Sequence, residues 1–281
     1  EANPELEAVV VTSTRTPGAP VNPAADVSVI TQERLDQNAG RNIADVLSQE
    51  AGIEITSNGG PAGLSRIFIR GTKPAQNILL IDGFRLANPT NNEAPLEALP
   101  LSAFGQIEIV RGAASSLYGS GAIGGAIQLL SRNPEGRTPA FEGAVTVGRY
   151  GSYRGEAGYG GAVGNTRFNI AVGVDGDQGF SATNPASGWS YENDKDGFDR
   201  QSMIANLRHE FSTQHAIRLN ALATSSKTDF DTGLPSGPRP YIKSQTQLLG
   251  ATYEFMPITG WRSEIKAGET SYSYEYRNAG F

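Results

Sequence analysis

Two patterns of apolar and polar residues divide the chain near Pro134. Before it, short apolar runs at 27–30, 53–56, 66–70, 77–81, 84–86, 107–110 and 126–130 are separated by turn residues, which predicts short strands. Two short helices fall among them. Thr31 is placed to cap the first, over 32–37, with Glu33 favourable in its first turn. Asn42 caps the second, with Asp45 at N3, Ile43, Val46 and Leu47 on one face and Gly52 as the stop. Asp82-Gly83 is a two-residue hairpin signal that returns through Phe84, Arg85 and Leu86. Pro100 opens a helical turn over 101–104. Together these elements predict a tail and linker over 1–26 and a small α/β domain over 27–134.

From 135 to 281 the runs lengthen and alternate. Strands are expected at 140–150, 153–161, 167–175, 201–211, 216–228, 244–255 and 261–274. The connections at 162–165, 212–214 and 256–260 are short, whereas 176–199 and 228–243 are long. The tight connection at 150–152 is the exception on the long-loop side. Membrane barrels show this asymmetry between their two ends. Crossing a bilayer takes about 9–11 tilted strand residues, and soluble strands average about 5–6. Leu207, Phe211, Tyr253, Phe255, Trp261, Tyr272, Tyr274 and Tyr276 are candidates for the girdles at the membrane surfaces. A soluble β-sandwich is the alternative. Seven strands cannot enclose the preceding domain, because barrels of about 8 strands are filled by their own side chains and those of about 22 hold a plug. They are therefore expected to be the first strands of a larger barrel, with the later ones beyond Phe281.

Composition sharpens this picture. Mean hydropathy is -0.33, and no run approaches the roughly 20 apolar residues of a membrane helix; barrel strands, which alternate, are untouched by that test. The chain has no cysteine, hence no disulfide, thiolate metal site or cysteine nucleophile. No leader pattern precedes Glu1, so the protein is either cytosolic or exported with its signal peptide removed. The net charge of -6 and the scattered Lys and Arg argue against nucleic acid as a partner. Residues 6–12 have strong β propensity and are followed by Pro17, Gly18, Pro20 and Pro23. A strand near a free end suits addition to another protein's sheet edge, or is the domain's ordinary first strand; the pattern leaves both open.

Four features invite chemistry. Gly119 to Gly124 fits G-x-G-x-x-G, but a dinucleotide site needs that motif directly between a strand and a helix. Here the strand ends near Arg111 and too few residues follow for a crossover helix, so a soluble nucleotide-binding enzyme is only a remote alternative. His209 and His215 flank a short turn without an accompanying nucleophile and read as polar rim residues. Arg70 and Arg111 each end an apolar strand before a glycine, where a buried guanidinium requires a carboxylate. The loop 175–199 carries Asp175, Asp177, Glu192, Asp194, Asp196 and Asp199 against Lys195 alone. Hard-oxygen clusters of this kind bind Ca²⁺, and Asp229 and Asp231 lie in the next loop on the same side. A solvated acidic loop is the plainer reading.

In combination the chain resembles the TonB-dependent outer-membrane receptors over nearly its whole length. The similarity is carried by Ile67-Phe68-Ile69-Arg70-Gly71-Thr72, by Leu79-Leu80-Ile81-Asp82-Gly83, and by I-E-x-x-R-G-x-x-S-x-x-Y-G-x-x-A-I-G-G beginning at Ile107. Within the family it is most similar to the cobalamin (vitamin B12) receptors, through Val10-Val11-Thr12-Ser13-Thr14-Arg15, Asn58-Gly59-Gly60 before Leu64-Ser65, and Asp194-x-Asp196-Gly197-Phe198. The resemblance implies an α/β plug domain inside an antiparallel transmembrane β-barrel of 22 strands, of which this chain supplies about seven, in a bacterial outer membrane. It implies a transporter, not an enzyme, whose partners are TonB, outer-membrane lipid and either cobalamin or a ferric siderophore. Glu7, Ala8, Val9, Val10, Val11 and Thr12 match the TonB-pairing segment. Asn58, Gly59, Gly60, Leu64, Ser65, Arg85, Asn88 and Asn91 match plug loops facing substrate. Asp194, Asp196 and Asp231 match calcium ligands, although Ser181 stands where another calcium aspartate aligns. Arg70 and Arg111 are implied to tie the plug to glutamates of the barrel wall that would lie beyond Phe281.

Overall fold

A computed structural model describes residues 26–39, 41–58, 63–113, 115–132, 138–181, 184, 186, 194–231, 240–258 and 261–277. The segment 6–12, with Glu7 to Thr12, lies outside them, as do Gly59 and Gly60.

The first half forms β1 (Asp26–Ile30), α1 (Gln32–Gln37), α2 (Ile43–Leu47), β2 (Ile53–Asn58), β3 (Leu64–Ile69), β4 (Asn77–Ile81), β5 (Phe84–Leu86), β6 (Phe104–Arg111), α3 (Ser115–Tyr118) and β7 (Gly125–Ser131). Five strands make one sheet in the order β1-β6-β7-β4-β5, with β4 and β7 parallel, while β2 and β3 pair as a separate hairpin. Local chemistry explains several elements. The Asn42 side chain accepts from the Asp45 amide at 2.8 Å and the Asp45 carboxylate accepts from the Asn42 amide at 3.3 Å, a reciprocal cap. Asp82 (φ 49°) and Gly83 (φ 85°) both take positive φ, as the tightest hairpin turn demands. Thr31 departs from expectation. Its backbone is extended as at an N-cap, yet its side chain makes no capping bond. The core gathers Ile30, Leu35, Ile43, Leu47, Ile69, Leu79, Ile81, Leu86, Phe104, Ile107 and Leu129.

The second half is one up-and-down sheet of β8 (Ala140–Val147), β9 (Tyr153–Val163), β10 (Thr166–Asp177), β11 (Phe198–Ser212), β12 (His215–Asp229), β13 (Tyr241–Ile258) and β14 (Trp261–Arg277). The strands outrun the apolar stretches that announce them. β13 has 18 residues, a span of about 60 Å at ~3.3 Å per residue, because Tyr241, Ile242 and Lys243 continue the ladder before the expected start at 244. β8 is shorter than its pattern, since Tyr150 (φ 58°) and Gly151 (φ 68°) turn the backbone back.

The two faces of this sheet differ. Phe141, Val145, Val147, Ile170, Val172, Val174, Leu249, Ile265 and Trp261 are exposed on one side. On the other, Ile204, Leu222 and Leu248 join the core of the first domain, alongside buried Thr224, Ser226, Ser244 and Thr246. An apolar outer face and a polar inner face occupied by a domain is the pattern of a membrane barrel wall. The sandwich alternative fails because, among the described residues, no second sheet covers the apolar side.

Shape holds the domain against the wall at one place in particular. Gly250 and Gly268 pair across β13 and β14, and the Phe84 ring fills the hollow they leave. A Cβ at Gly250 would lie 2.4 Å from that ring, and one at Gly268 would lie 2.6 Å from it. Gly250→Ala is therefore expected to displace the β4–β5 hairpin at a cost of ~1–3 kcal/mol. Hydrogen exchange of residues 77–86 measures this. In a Phe84→Ala background, which leaves a cavity, the same glycine change should cost less; equal costs in both backgrounds would remove the knob-in-hollow account.

Candidate functional site

Three groups of polar residues surround the junction of domain and wall. The first is the rim formed by the β2–β3 hairpin and the loop 87–95. Arg66 of β3 pairs with Glu93 at 3.1 Å and fastens hairpin to loop. Asn88 and Asn91 shape the loop: Asn88 Oδ1 accepts from the Thr90 amide at 2.9 Å and Asn91 Oδ1 from the Glu93 amide at 3.1 Å. Arg85 donates to Asn92 Oδ1 at 2.8 Å and to the Ser120 carbonyl at 3.2 Å. Leu64 is half-buried. Ser65 turns inward, donating to the Gly63 carbonyl at 3.0 Å and sharing a 2.9 Å bond with Ser57. Asn58 ends β2. The structure thus brings Arg85, Asn88 and Asn91 to one polar rim, while Ser65 supports the hairpin from within.

The second group is at the long-loop end of the wall. Carboxylate oxygens of Asp194, Asp196 and Asp231 lie within 4.8 Å of one another. Two oxygens that each touch an ion at about 2.4 Å can be no farther apart than this, so the set fits a single Ca²⁺. Asp196 is buried, and Asp231 Oδ1 is enclosed with no hydrogen-bond partner among the described residues. Ser181 donates to Asp231 Oδ2 at 3.4 Å. Lys195 bonds Gln178 at 2.9 Å instead of the aspartates. Backbone packing holds the cluster together: the Asp196 amide donates to the Phe180 carbonyl, and the Asp229 amide to the Gly197 carbonyl.

The third group is the seam between domain and wall, and sequence reasoning missed most of it. Arg200 of β11 is buried and bidentate to Asp175 of β10, at 3.0 and 2.6 Å. Its remaining nitrogen donates to the Glu97 and Leu99 carbonyls of the domain, at 2.9 and 3.2 Å. Asp82 receives the Ser131 amide (3.0 Å), the Ser131 hydroxyl (2.5 Å) and Asn220 Nδ2 of β12 (2.9 Å). Burial pushes its carboxyl above the usual carboxylate range, against the lowering effect of Ser131, Arg218 and Asn220. Towards the short-turn end, Glu254 gathers Arg208 at 3.2 Å, Arg262 at 3.0 Å and Arg218. The signal for these residues was present as charges at inward positions of alternating strands, but strand alternation does not name their partners.

Arg70 and Arg111 have carboxylate partners of their own within the plug. Among the described residues both find their carboxylates inside the domain. Arg70 pairs with Asp26, and Arg111 reaches Asp26 at 3.2 Å, Glu50 at 3.7 Å and the Ser28 hydroxyl at 2.8 Å. Asp26 and Ser28 belong to β1, so these arginines tether the first strand. The glycine stretch departs from a nucleotide site as well. The short helix α3 precedes Gly119 instead of following the glycines. Gly124 packs so closely on Thr72 and Asn77 that a Cβ would come within 2.0 Å of the Thr72 hydroxyl.

A compact α/β domain pinned to the polar face of a membrane-type sheet defines a plugged barrel. Known proteins place it further. The family model described as TonB-dependent Receptor Plug Domain matches residues 20–126. The vitamin B12 transporter BtuB of Vibrio cholerae is 31% identical over 255 residues, covering 90% of this chain and 40% of that protein. BtuB of Photobacterium profundum is 28% identical over 244 residues, covering 86% and 39%. The crystal structure of the ferric yersiniabactin uptake receptor FyuA from Yersinia pestis superposes with a TM-score of 0.74 at 19% identity, over 90% of this chain and 41% of that one. The ferripyoverdine receptor of the outer membrane of Pseudomonas aeruginosa gives 0.75 at 16%, over 95% and 37%. The chain belongs to the TonB-dependent receptor family of the outer membrane. It spans about 40% of the length of the curated relatives it matches.

Removing Arg200 would leave buried Asp175 with Arg154 alone, 4.0 Å away, and two plug carbonyls without their donor. Arg200→Ala is expected to cost roughly 3–5 kcal/mol, and Arg200→Ala with Asp175→Asn noticeably less. Denaturant-dependent hydrogen exchange of the Leu96–Ala98 turn distinguishes the two variants; identical losses would mean the ion pair is not what seats the plug.

Proposed function

We propose that the receptor containing this chain imports cobalamin across the outer membrane, with transport energised by TonB. The observation that carries this reading is the 31% identity to a vitamin B12 transporter over nearly the whole chain. The acidic cluster of Asp194, Asp196 and Asp231 agrees with the calcium positions expected of cobalamin receptors. Substrate would meet the rim of Arg85, Asn88, Asn91 and the 58–65 hairpin tip. TonB would pair with residues 7–12 and pull on the plug through β1, which Arg70 and Arg111 hold through Asp26. The solved receptors for ferric yersiniabactin and ferripyoverdine share the fold at 19 and 16% identity, which speaks to architecture and not to ligand. Ferric chelates are therefore the competing arm of the test.

The full-length receptor, titrated with cyanocobalamin and with a panel of ferric chelates, should bind the cobalamin alone. Deleting residues 6–12 should then abolish uptake while leaving binding intact. Preference for a ferric chelate would replace the substrate, and uptake unchanged by the deletion would remove the TonB assignment.

Asp194, Asp196 and Asp231 would hold Ca²⁺, with the Ser181 hydroxyl beside Asp231. When bound, the ion offsets three converging carboxylates and fastens the loop ending at Asp196 to the end of β12. Asp194→Ala with Asp196→Ala is expected to lower cobalamin affinity only in the presence of Ca²⁺, and to abolish calcium-dependent protection of residues 194–198 in hydrogen exchange. Equal affinity and protection with and without Ca²⁺ in the parent would exclude the ion.

A further inference from the structure

The seam contains a carboxyl that touches both substrate-rim hairpin and wall. Glu97 sits in the Leu96–Ala98 turn, which packs against β3, α2, β12 and β13. Its Oε1 accepts from the Tyr272 hydroxyl of β14 at 3.1 Å. The Ser65 amide of β3 donates to the same carboxyl. Its main-chain carbonyl accepts from Arg200. The other carboxyl oxygen, Oε2, is enclosed and has no hydrogen-bond partner among the described residues. Thr224, Thr246 and Tyr272 stand side by side in one register row of the inner wall. The Thr224 and Thr246 hydroxyls are likewise enclosed and unpartnered among the described residues.

We propose that the Glu97 carboxyl is a proton-binding site that fastens the β2–β3 hairpin to the barrel wall when neutral and loosens it when ionised. A neutral carboxyl can donate one hydrogen bond from Oε2 while Oε1 goes on accepting from Tyr272 and Ser65. An ionised one only accepts, and it places a charge among groups that cannot balance it. Arg200 is the cation whose charge reaches it, and it is already committed to Asp175 and to two carbonyls. Among the described residues, no other element facing Glu97 offers a free counter-ion; on β14, Lys266 is paired with Glu264 at 3.3 Å. β12 and β13 present Thr224 and Thr246 at this level, and Arg218 and Glu254 lie several register rows away. Asp45, the one charged residue of α2, is exposed and occupied by its own helix cap, and Arg66 of β3 is held by Glu93.

Burial pushes the Glu97 carboxyl up to about 7 from an ordinary 4.5, against the lowering hydrogen bonds of its own amide, Tyr272 and Ser65 and the charge of Arg200. The docked state therefore binds a proton that the opened state has lost. Docking is strongest below pH 4.5, weakens as pH rises to about 7, and is constant above it.

The test needs no substrate, so its failure would leave the transport reading as it stands. The full-length receptor in outer-membrane vesicles is followed by hydrogen exchange of Leu64–Ile69 and Leu96–Ala98 across this pH range, corrected for intrinsic exchange. Protection should fall with rising pH, by up to ~300-fold for a shift of this size. Glu97→Gln should hold high protection at every pH. Tyr272→Phe, which removes a bond to the ionised form, should move the inflection to higher pH and serves if the first variant fails to assemble. Infrared difference spectra should show a protonated carboxyl band that titrates near pH 7 in the parent, and this component should be lost in Glu97→Gln while any contribution of Asp82 stays. A parent profile without slope, a slope that survives Glu97→Gln, or an inflection unmoved in Tyr272→Phe would each overturn the proposal.

Discussion

The Arg200 guanidinium is closed between a wall carboxylate and two plug carbonyls, and the seating of the plug depends on it. A barrel wall must keep its outer face apolar, so whatever holds a domain inside must come from the inward half of each strand. Those inward positions are polar, and burying them under a domain costs free energy wherever their hydrogen bonds are not met. Arg200 meets this demand with Asp175 behind it and backbone oxygens in front. Asp82 with Asn220, and Glu97 with Tyr272, repeat the solution along neighbouring strands. Phe84 in the hollow of Gly250 and Gly268 adds a fit of shape that polar groups alone would not give.

Much of the architecture was legible because it is locally encoded. The Asn42–Asp45 cap and the Asp82-Gly83 turn each depend on neighbours within a few residues. The wall declared itself through alternation sustained over strands longer than a soluble sheet needs, and through unequal loop lengths. Thr31 shows the limit of such rules, since a residue suited to capping can leave its side chain uncommitted. The seam was illegible for a different reason. Nothing in the neighbourhood of Arg200 or Gly268 announces that its counterpart lies in another domain.

The candidate site divides along the same line. Asp194 and Asp196 were visible as spaced acids in a loop, and Asp231 could be added because loops on one side of a meander come together. Arg70 and Arg111 were recognisable as arginines in need of carboxylates. Which carboxylates they take is decided by the pairing of β1 with β6, which sets Asp26 opposite Arg111. Their effect is to tie the first strand to the rest of the plug, next to the tail that carries residues 7–12.

The seam also has a consequence in time. The plug contacts that close it join residues 103, 138 and 175 positions apart. Contacts of such separation form slowly, because chain entropy is lost long before any contact repays it. The plug core is itself completed by Ile204, Leu222 and Leu248 of the wall. A nascent plug therefore waits with part of its apolar surface uncovered until strands made much later reach it. The finished plug core is thus shared property, assembled from both halves of the chain.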